Sequence, residues 1–451
     1  MNILNSHLNS RLALVGSLFS MSVMLAACGG GQDEAYRAVN GEISQSLSST
    51  DSAVVADGQD AAVLAADEQD NTVSAPPAAW ELEDDPVVSE TFLASQQARA
   101  AASATERAMA VATTDTRVKW NPGHYIALPQ RDEPTIQKVM AEIKPLPQVK
   151  GLILRYEWAQ LEKSKGVYDF SRLDRDLALV QAAGKRLWIM VGTKVFRPGG
   201  QAVPDYLRTA EYEGGAYKIV IAGRDAIGSQ ERYGENAALH NVKVRDRLIA
   251  LGDAMGAHLN KHNALEGITF NETAMGQMKV PLTKAQQTAY FDNLAQVGAA
   301  TQRAFPNTVV MQFINFPRAY MPGLISNMVS NKVALGGPDI LIEDADLNTH
   351  IYPMYDPAKG KVAVGPSVQP ENFATTVQHG AYNPPKISDL YNFGRTRLSA
   401  NYMFWTRVTA GSPSPYTRTL DFFKSSAFPK DAAGGLISTC PSTYPSCVAK
   451  L

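Results

Sequence analysis

The sequence predicts an α/β fold, a (β/α)8 or TIM barrel, from three observations. From about residue 118 onward, short apolar runs alternate with stretches of 3.6-residue periodicity. Eight such runs occur over about 320 residues, enough to close a parallel sheet on itself. No GxGxxG, GxxxxGKS or GxxxxGKT follows the first run, so the phosphate-binding turn of an open doubly wound sheet has no counterpart here.

The elements follow in order. His124–Leu128 reads as the first strand, and Pro134 opens a helix with Ile136, Val139, Met140 and Ile143 on one face. Gly151–Tyr156 is the second strand. Ser171 with Asp174 reads as a capping box, Leu173, Leu177 and Val180 line the helix, and Gly184 ends it. Lys185–Val191 is the third strand. An insertion at about 196–240 holds a hairpin around Tyr217–Ala222, and the helix after it carries Val244, Leu248, Leu251, Met255 and Leu259. Gly267–Phe270 is the fourth strand. Thr283 and Gln286 cap a helix lined by Tyr290, Leu294 and Val297. Val309–Ile314, Asp339–Ile342, Lys361–Val364 and Ser399–Trp405 complete the strands, with helical stretches near 318–332 and 387–398. The barrel is expected over residues 116–435.

Charge divides the chain. Its formal net charge of −2 excludes a strongly basic nucleic-acid binder, but residues 29–110 carry 15 Asp/Glu against 3 Arg, whereas residues 111–451 carry 38 Lys/Arg against 29 Asp/Glu. The acidic part is rich in Ala, Ser, Asp and Gln and has no sustained period, which predicts a disordered acidic linker over 28–115. Within it, the 80–93 stretch has enough apolar residues to dock locally. Cys440 and Cys447, seven apart in a Pro/Ser-rich tail at 436–451, have a spacing that suits a disulfide in an oxidising compartment; two unpaired thiols are the alternative. His258 and His262 stand four apart on a helix without a carboxylate partner pattern, so no metal site is read from them. No cofactor motif occurs, and the oligomeric state is left open.

The leader has a charged start at Arg11, an apolar run Leu12–Leu25, then Ala26-Ala27-Cys28-Gly29. This resembles the lipobox of bacterial lipoproteins. The resemblance implies a signal peptide over 1–27, lipidation of Cys28, attachment to a membrane through it, and location in the bacterial cell envelope, with Gly29 pointing to the outer membrane.

In a barrel of this type the functional face is the C-terminal end of the strands. The polar residues just beyond the expected strands are Arg155 and Glu157, Asn271 and Glu272, Gln312 and Asn315, Glu343, Asp344 and Asp346, and Gln369 and Glu371, with Trp405 closing the eighth. His350 and Tyr352 lie in the loop after the sixth. Carboxylates for acid–base work, amides and an Arg for hydroxyls, and flat rings for pyranose faces together suit an oligo- or polysaccharide.

Ile268-Thr269-Phe270-Asn271-Glu272 resembles the strand-four Asn-Glu of the large clan of retaining glycoside hydrolases built on (β/α)8 barrels. Trp158-Ala-Gln-Leu-Glu162 followed by Gly166-Val-Tyr-Asp169-Phe170-Ser171-Arg-Leu-Asp174 is similar to a W..LE…G.YDF..LD pattern in the β-galactosidase-like and related families. Asn401-Tyr402-Met403-Phe404-Trp405 resembles the strand-eight segment that bears the clan's Trp platform. The resemblance covers about residues 118–407. It implies that Glu272 is the acid/base, that Asn271 holds a sugar hydroxyl, and that Trp405 floors a subsite; Arg155, His350, Tyr352 and Gln369 are the further candidate substrate contacts.

The clan's nucleophile, a Glu ending strand seven, has no direct counterpart, because Pro366 stands in its natural place. Glu371, Glu343 or an adjacent Asp, or no nucleophile at all, remain open. Three functions follow: a membrane-anchored, two-carboxylate glycosidase; a glycan-binding lipoprotein with a degenerate site; or a lyase on an acidic polysaccharide.

Overall fold

A computed structural model describes residues 77–109, 115–129, 131–220, 233–378 and 382–451. The leader, Cys28 and the linker as far as residue 76 lie outside the described residues. Eight parallel strands close into a barrel in chain order: β1 Gly123–Ala127, β2 Val149–Glu157, β3 Arg186–Gly192, β4 Leu265–Phe270, β5 Val309–Phe313, β6 Ala334–Asp339, β7 Val364–Val368 and β8 Tyr402–Thr406. Closure runs between β8 and β1, with Tyr402 opposite Gly123 and Thr406 opposite Ala127. Among the described residues, the α-helices longer than one turn are α1 Pro86–Met109, α2 Glu133–Ile143, α3 Ser171–Ala182, α4 Val242–Leu259, α5 Lys284–Ala304, α6 Met321–Ser330, α7 Ile387–Asn392 and α8 Pro415–Lys424.

Strand alternation sorts the side chains into two cores. Tyr125, Ile153, Trp188, Met311, Phe313 and Phe404 fill the barrel. Their neighbours in sequence, such as Ile126, Leu152, Ile189 and Val310, face outward onto the helices, where Ile136, Val139, Leu173, Leu177 and Leu248 are buried. The aromatic interior is possible because some strands present glycine. A Cβ at Gly267 would stand 2.2 Å from the Trp188 ring, and one at Gly336 would stand 2.0 Å from Phe313.

Those glycines also explain two shifted strands. β6 was expected at Asp339–Ile342 but runs over Ala334–Asp339, because Gly336, Gly337 and Pro338 break the apolar pattern by which a strand is recognised. β7 was expected at Lys361–Val364 but runs over Val364–Val368. Met311 and Phe404 cover Gly365, so this strand needs no large inward residue of its own. The shift brings Glu371 to three residues past the strand end. In the insertion, where a hairpin was expected around Tyr217–Ala222, Ala216–Val220 pairs antiparallel with the more distant Tyr233–Ala237, and residues 221–232 lie outside the described residues.

The boundary of the linker is corrected. Residues 77–102 pack on the barrel: Phe92 meets Tyr320 edge-on at 5.2 Å, Gln96 Nε2 donates to Asp292 Oδ1 at 2.8 Å, and Asn327 Nδ2 donates to Gln96 Oε1 at 3.0 Å. The buried stripe of α1 is Phe92, Gln96 and Ala100, too polar and narrow to show as an amphipathic period. At the other end, Ser446–Val448 pairs with Arg117–Lys119, and Trp120 and Tyr444 stand edge-on at 6.0 Å under the interior core. Cys440 and Cys447 form a disulfide with Cα atoms 5.8 Å apart. The last residues therefore belong to the barrel floor.

Candidate active site

Glu272 sits two residues beyond β4, on a loop tied down from several sides. Its Oε2 accepts from Asn315 Nδ2 at 2.7 Å, and Asn315 Oδ1 accepts from Ala274 N at 2.9 Å. Lys194, buried beyond β3, donates from Nζ to the carbonyl oxygens of Glu272, at 3.1 Å, and Ala274. Next to it, Asn271 Oδ1 accepts from Thr193 N at 2.8 Å, which fixes the amide and leaves Nδ2 as its donor.

Two further carboxyl groups share this side of the mouth. Asp339 ends β6, opposite Ser367 of β7, and Glu371 starts a short helical turn after β7. Burial pushes the Asp339 carboxyl well above the usual carboxylate range, and the charges of Glu272 and Glu371 push it further. Burial likewise raises Glu371, to about 7, helped by the charge of Glu272 and opposed by its own backbone amide. Glu371 Oε2 is enclosed and accepts no hydrogen bond within the described residues. Burial and the charge of Glu272 thus favour a proton on Asp339 and on Glu371 near neutral pH.

A depression is lined by Arg155, Met190, Phe313, Ser367, Gln369, Phe404 and Thr406 among others, and none of the three carboxyl groups lines it. Gln369 Oε1 accepts from Thr406 Oγ1 at 3.3 Å. Arg155 is buried, with Nε 2.9 Å from Glu157 Oε1, and it also donates to the carbonyl of Lys194. This pairing at the rim holds the guanidinium at the depression wall. The structure thus brings Glu272, Asn271, Glu371, Gln369 and Arg155 to one mouth.

Six candidates stand elsewhere. Glu343 is exposed, and its Oε2 is engaged by Thr376 Oγ1 at 2.5 Å and Asn383 Nδ2 at 2.9 Å in an outer loop. Asp344 accepts from the amides of Leu347 and Gln378, and Asp346 pairs with Arg318. His350 is partly exposed on a helical turn, 3.9 Å from Asp346. Tyr352 is fully buried, its hydroxyl donated to the backbone carbonyl of Asp339 at 2.8 Å, so it props the strand end rather than facing a ligand. Trp405 is on the outward parity of β8, 1% exposed, against Phe423 of α8 at 5.6 Å; the rings that face the barrel interior from β8 are Tyr402 and Phe404.

The W..LE…G.YDF..LD stretch is a structural staple. Glu162, fully buried, accepts from Trp158 Nε1 at 2.9 Å and Gly166 N at 2.8 Å and pairs with Arg247, whose guanidinium also reaches Tyr168. Sequence reasoning missed Asp339, Lys194 and Glu81. By pattern Asp339 reads as the start of the apolar run Ile340–Ile342, whereas it ends β6, and a lysine or a linker glutamate carries no pattern of its own. Among the described residues, no group of three or more His, Cys, Asp or Glu is placed to hold a metal ion.

The molecule is thus an eight-stranded α/β barrel with a carboxylate-lined mouth. No family model matches the chain, and no curated protein does. Solved structures with a similar chain path include the catalytic domain of β-amylase from Paenibacillus polymyxa, at 11% identity and TM-score 0.44, covering 65% of this chain and 94% of that one. A β-galactosidase from Marinomonas ef1 is similar at 9% identity and TM-score 0.46, covering 67% of this chain and 59% of that one. Endo-glycoceramidase II from Rhodococcus sp., in complex with a five-membered iminocyclitol, is similar at 14% identity and TM-score 0.41, covering 66% and 76%. The likeness is one of fold.

Proposed function

We propose that the protein is a glycoside hydrolase that cleaves an oligo- or polysaccharide with two carboxyl groups, Glu272 and Glu371, and retains anomeric configuration. One observation carries the reading: Glu272, Asp339 and Glu371 meet at the mouth closely enough that Glu272 raises the other two. Glycoside hydrolysis needs one carboxyl protonated near neutrality and one ionised beside it. Glu272 gives the proton to the leaving oxygen, and Glu371, in the fraction that is ionised near its raised pKa of about 7, attacks the anomeric carbon. Water then enters with Glu272 as base, and Glu371 leaves. Gln369 and the Asn271 amide are placed for hydroxyls. The cell envelope is the proposed location, with anchoring at Cys28; the support is the Leu25–Cys28 motif.

The enclosed Glu371 Oε2 favours a second reading, in which a glycan is held at the mouth but not attacked. Purified protein offered a panel of soluble glycans distinguishes the two. Release of reducing ends that is lost in Glu272→Gln, with the product's anomer followed by NMR from the first turnover, supports the retaining hydrolase. Binding without turnover in the wild type supports the second reading.

A further inference from the structure

Residues 77–85 run from the sequence expected to be linker into the loop that carries Glu272. Ala79–Glu81 is a single helical turn, and Glu81 at its end is fully buried. Its Oε1 accepts from Met275 N at 2.5 Å; its Oε2 accepts from Gly276 N at 3.2 Å and from Ala78 N at 2.7 Å. Gly276 has φ +70°, a left-handed conformation that suits glycine and turns the chain here. On the same loop, Lys194 binds the carbonyls of Glu272 and Ala274. Carbonyls are thus held by a buried ammonium and amides by a buried carboxylate, over five consecutive residues that begin with Glu272.

Glu81 is brought to this loop by contacts with no other evident purpose. Asp85 pairs with Lys284 at 2.6 Å, and α1 lies along α6 through Phe92 and Gln96. The segment is thus anchored on α5 and α6 as well as on the loop it grips. The charged and titratable groups facing Glu81 are Lys194 from beyond β3, Glu272 from the β4 loop, Tyr217 from the insertion and Tyr290 from α5.

We propose that Glu81 is a positioning residue for Glu272: the N-terminal segment completes the active site by clamping the 272–276 loop, so a barrel without this carboxylate folds but turns over slowly. The inference rests on Glu272 being one of the reacting pair.

The test uses the full chain with Glu81→Gln and Glu81→Ala. Hydrogen exchange across 272–278 reads the clamp directly, and steady-state kinetics on a glycan that the wild type hydrolyses read its consequence. Glu81→Gln is expected to speed exchange at Met275 and Gly276 and to lower kcat about tenfold with little change in KM; for Glu81→Ala the loss is about a hundredfold. Above about pH 7 Glu81 is charged in the wild type, so removing it makes the Glu272 proton easier to lose and moves the alkaline limb of the pH–rate profile to lower pH, a shift that loosened packing alone does not produce.

Unchanged kcat and pH profile in Glu81→Gln overturn the positioning role, even where exchange quickens. Should Glu81→Ala fail to fold, Glu81→Gln decides, because its amide oxygen still accepts. A wild type that hydrolyses no glycan removes the reading beneath the inference and the positioning role with it, while unchanged exchange at the two amides removes the clamp itself.

Discussion

Asn315 Nδ2 lies 2.7 Å from Glu272 Oε2, and the Oδ1 of the same side chain accepts from the amides of Ala274 and Phe316 at 2.9 and 2.8 Å. One amide therefore orients both a reacting carboxyl and the chain that carries it. Asn315→Ala leaves two backbone N–H groups without this partner, at about 1–3 kcal/mol for each that stays buried. The variant is expected to melt several degrees lower and to lose about 10–100-fold in kcat. A kcat equal to wild type after correction for the folded fraction would show that Glu272 needs no such support.

The three glutamates named from sequence separate by neutral substitution. Glu272→Gln and Glu371→Gln are each expected to lower kcat by about 10²–10⁴-fold, the range for removing a group that transfers a proton or forms the covalent bond. Glu343→Gln keeps an acceptor for Thr376 and Asn383 in the outer loop and is expected to stay within about twofold of wild type. Side-by-side initial rates on one substrate decide it. If Glu343→Gln were the most damaged, the pairing of Glu272 with Glu371 would be wrong.

How much of this could be read from the sequence follows from what each strand must fill. β2, β3 and β5 carry large residues on both faces and stood out as apolar runs. β6 and β7 have Gly336 and Gly365 where neighbours' rings intrude, so their signal weakened and both were displaced by several residues. That error hid Asp339 at a strand end and left Glu371 seemingly too remote. Parity was the second loss. Within an apolar run such as Tyr402–Trp405, nothing in the sequence says which residue faces inward, and Trp405 was assigned to the wrong face. Long-range tethers were the third: Glu81 grips a loop almost two hundred residues away, and no local pattern marks such a contact.

The buried carboxyls set the direction in which stability depends on pH. Burial holds Glu81 and Glu371 up to about 7 against an ordinary 4.5. A carboxyl that binds its proton more tightly in the folded chain stabilises the fold at low pH; this contribution is complete below about 4.5 and is lost as pH rises through about 7. Glu371→Gln imitates the protonated form at every pH. It is expected to be more stable than wild type at pH 8, by at most a few kcal/mol, and close to wild type at pH 4.5. Urea midpoints at the two pH values test this. An advantage equal at both would mean that Glu371 titrates normally.

Trp405 offers a test between a sugar platform and a core pillar. Burial holds the His124 imidazole down at about 4, so it is neutral near pH 7. Its Nδ1 accepts from Trp405 Nε1 at 3.0 Å, which requires the proton on Nε2, 3.3 Å from the Gly434 carbonyl. Trp405→Phe keeps most of the packing against Phe423 but deprives Nδ1 of its donor, an orphaned buried acceptor worth about 1–3 kcal/mol, with a further loss for the smaller ring. The melting temperature should therefore fall, while KM for a hydrolysed glycan stays within about twofold of wild type, since the ring faces α8. A KM raised tenfold or more at unchanged stability would instead put Trp405 against the sugar.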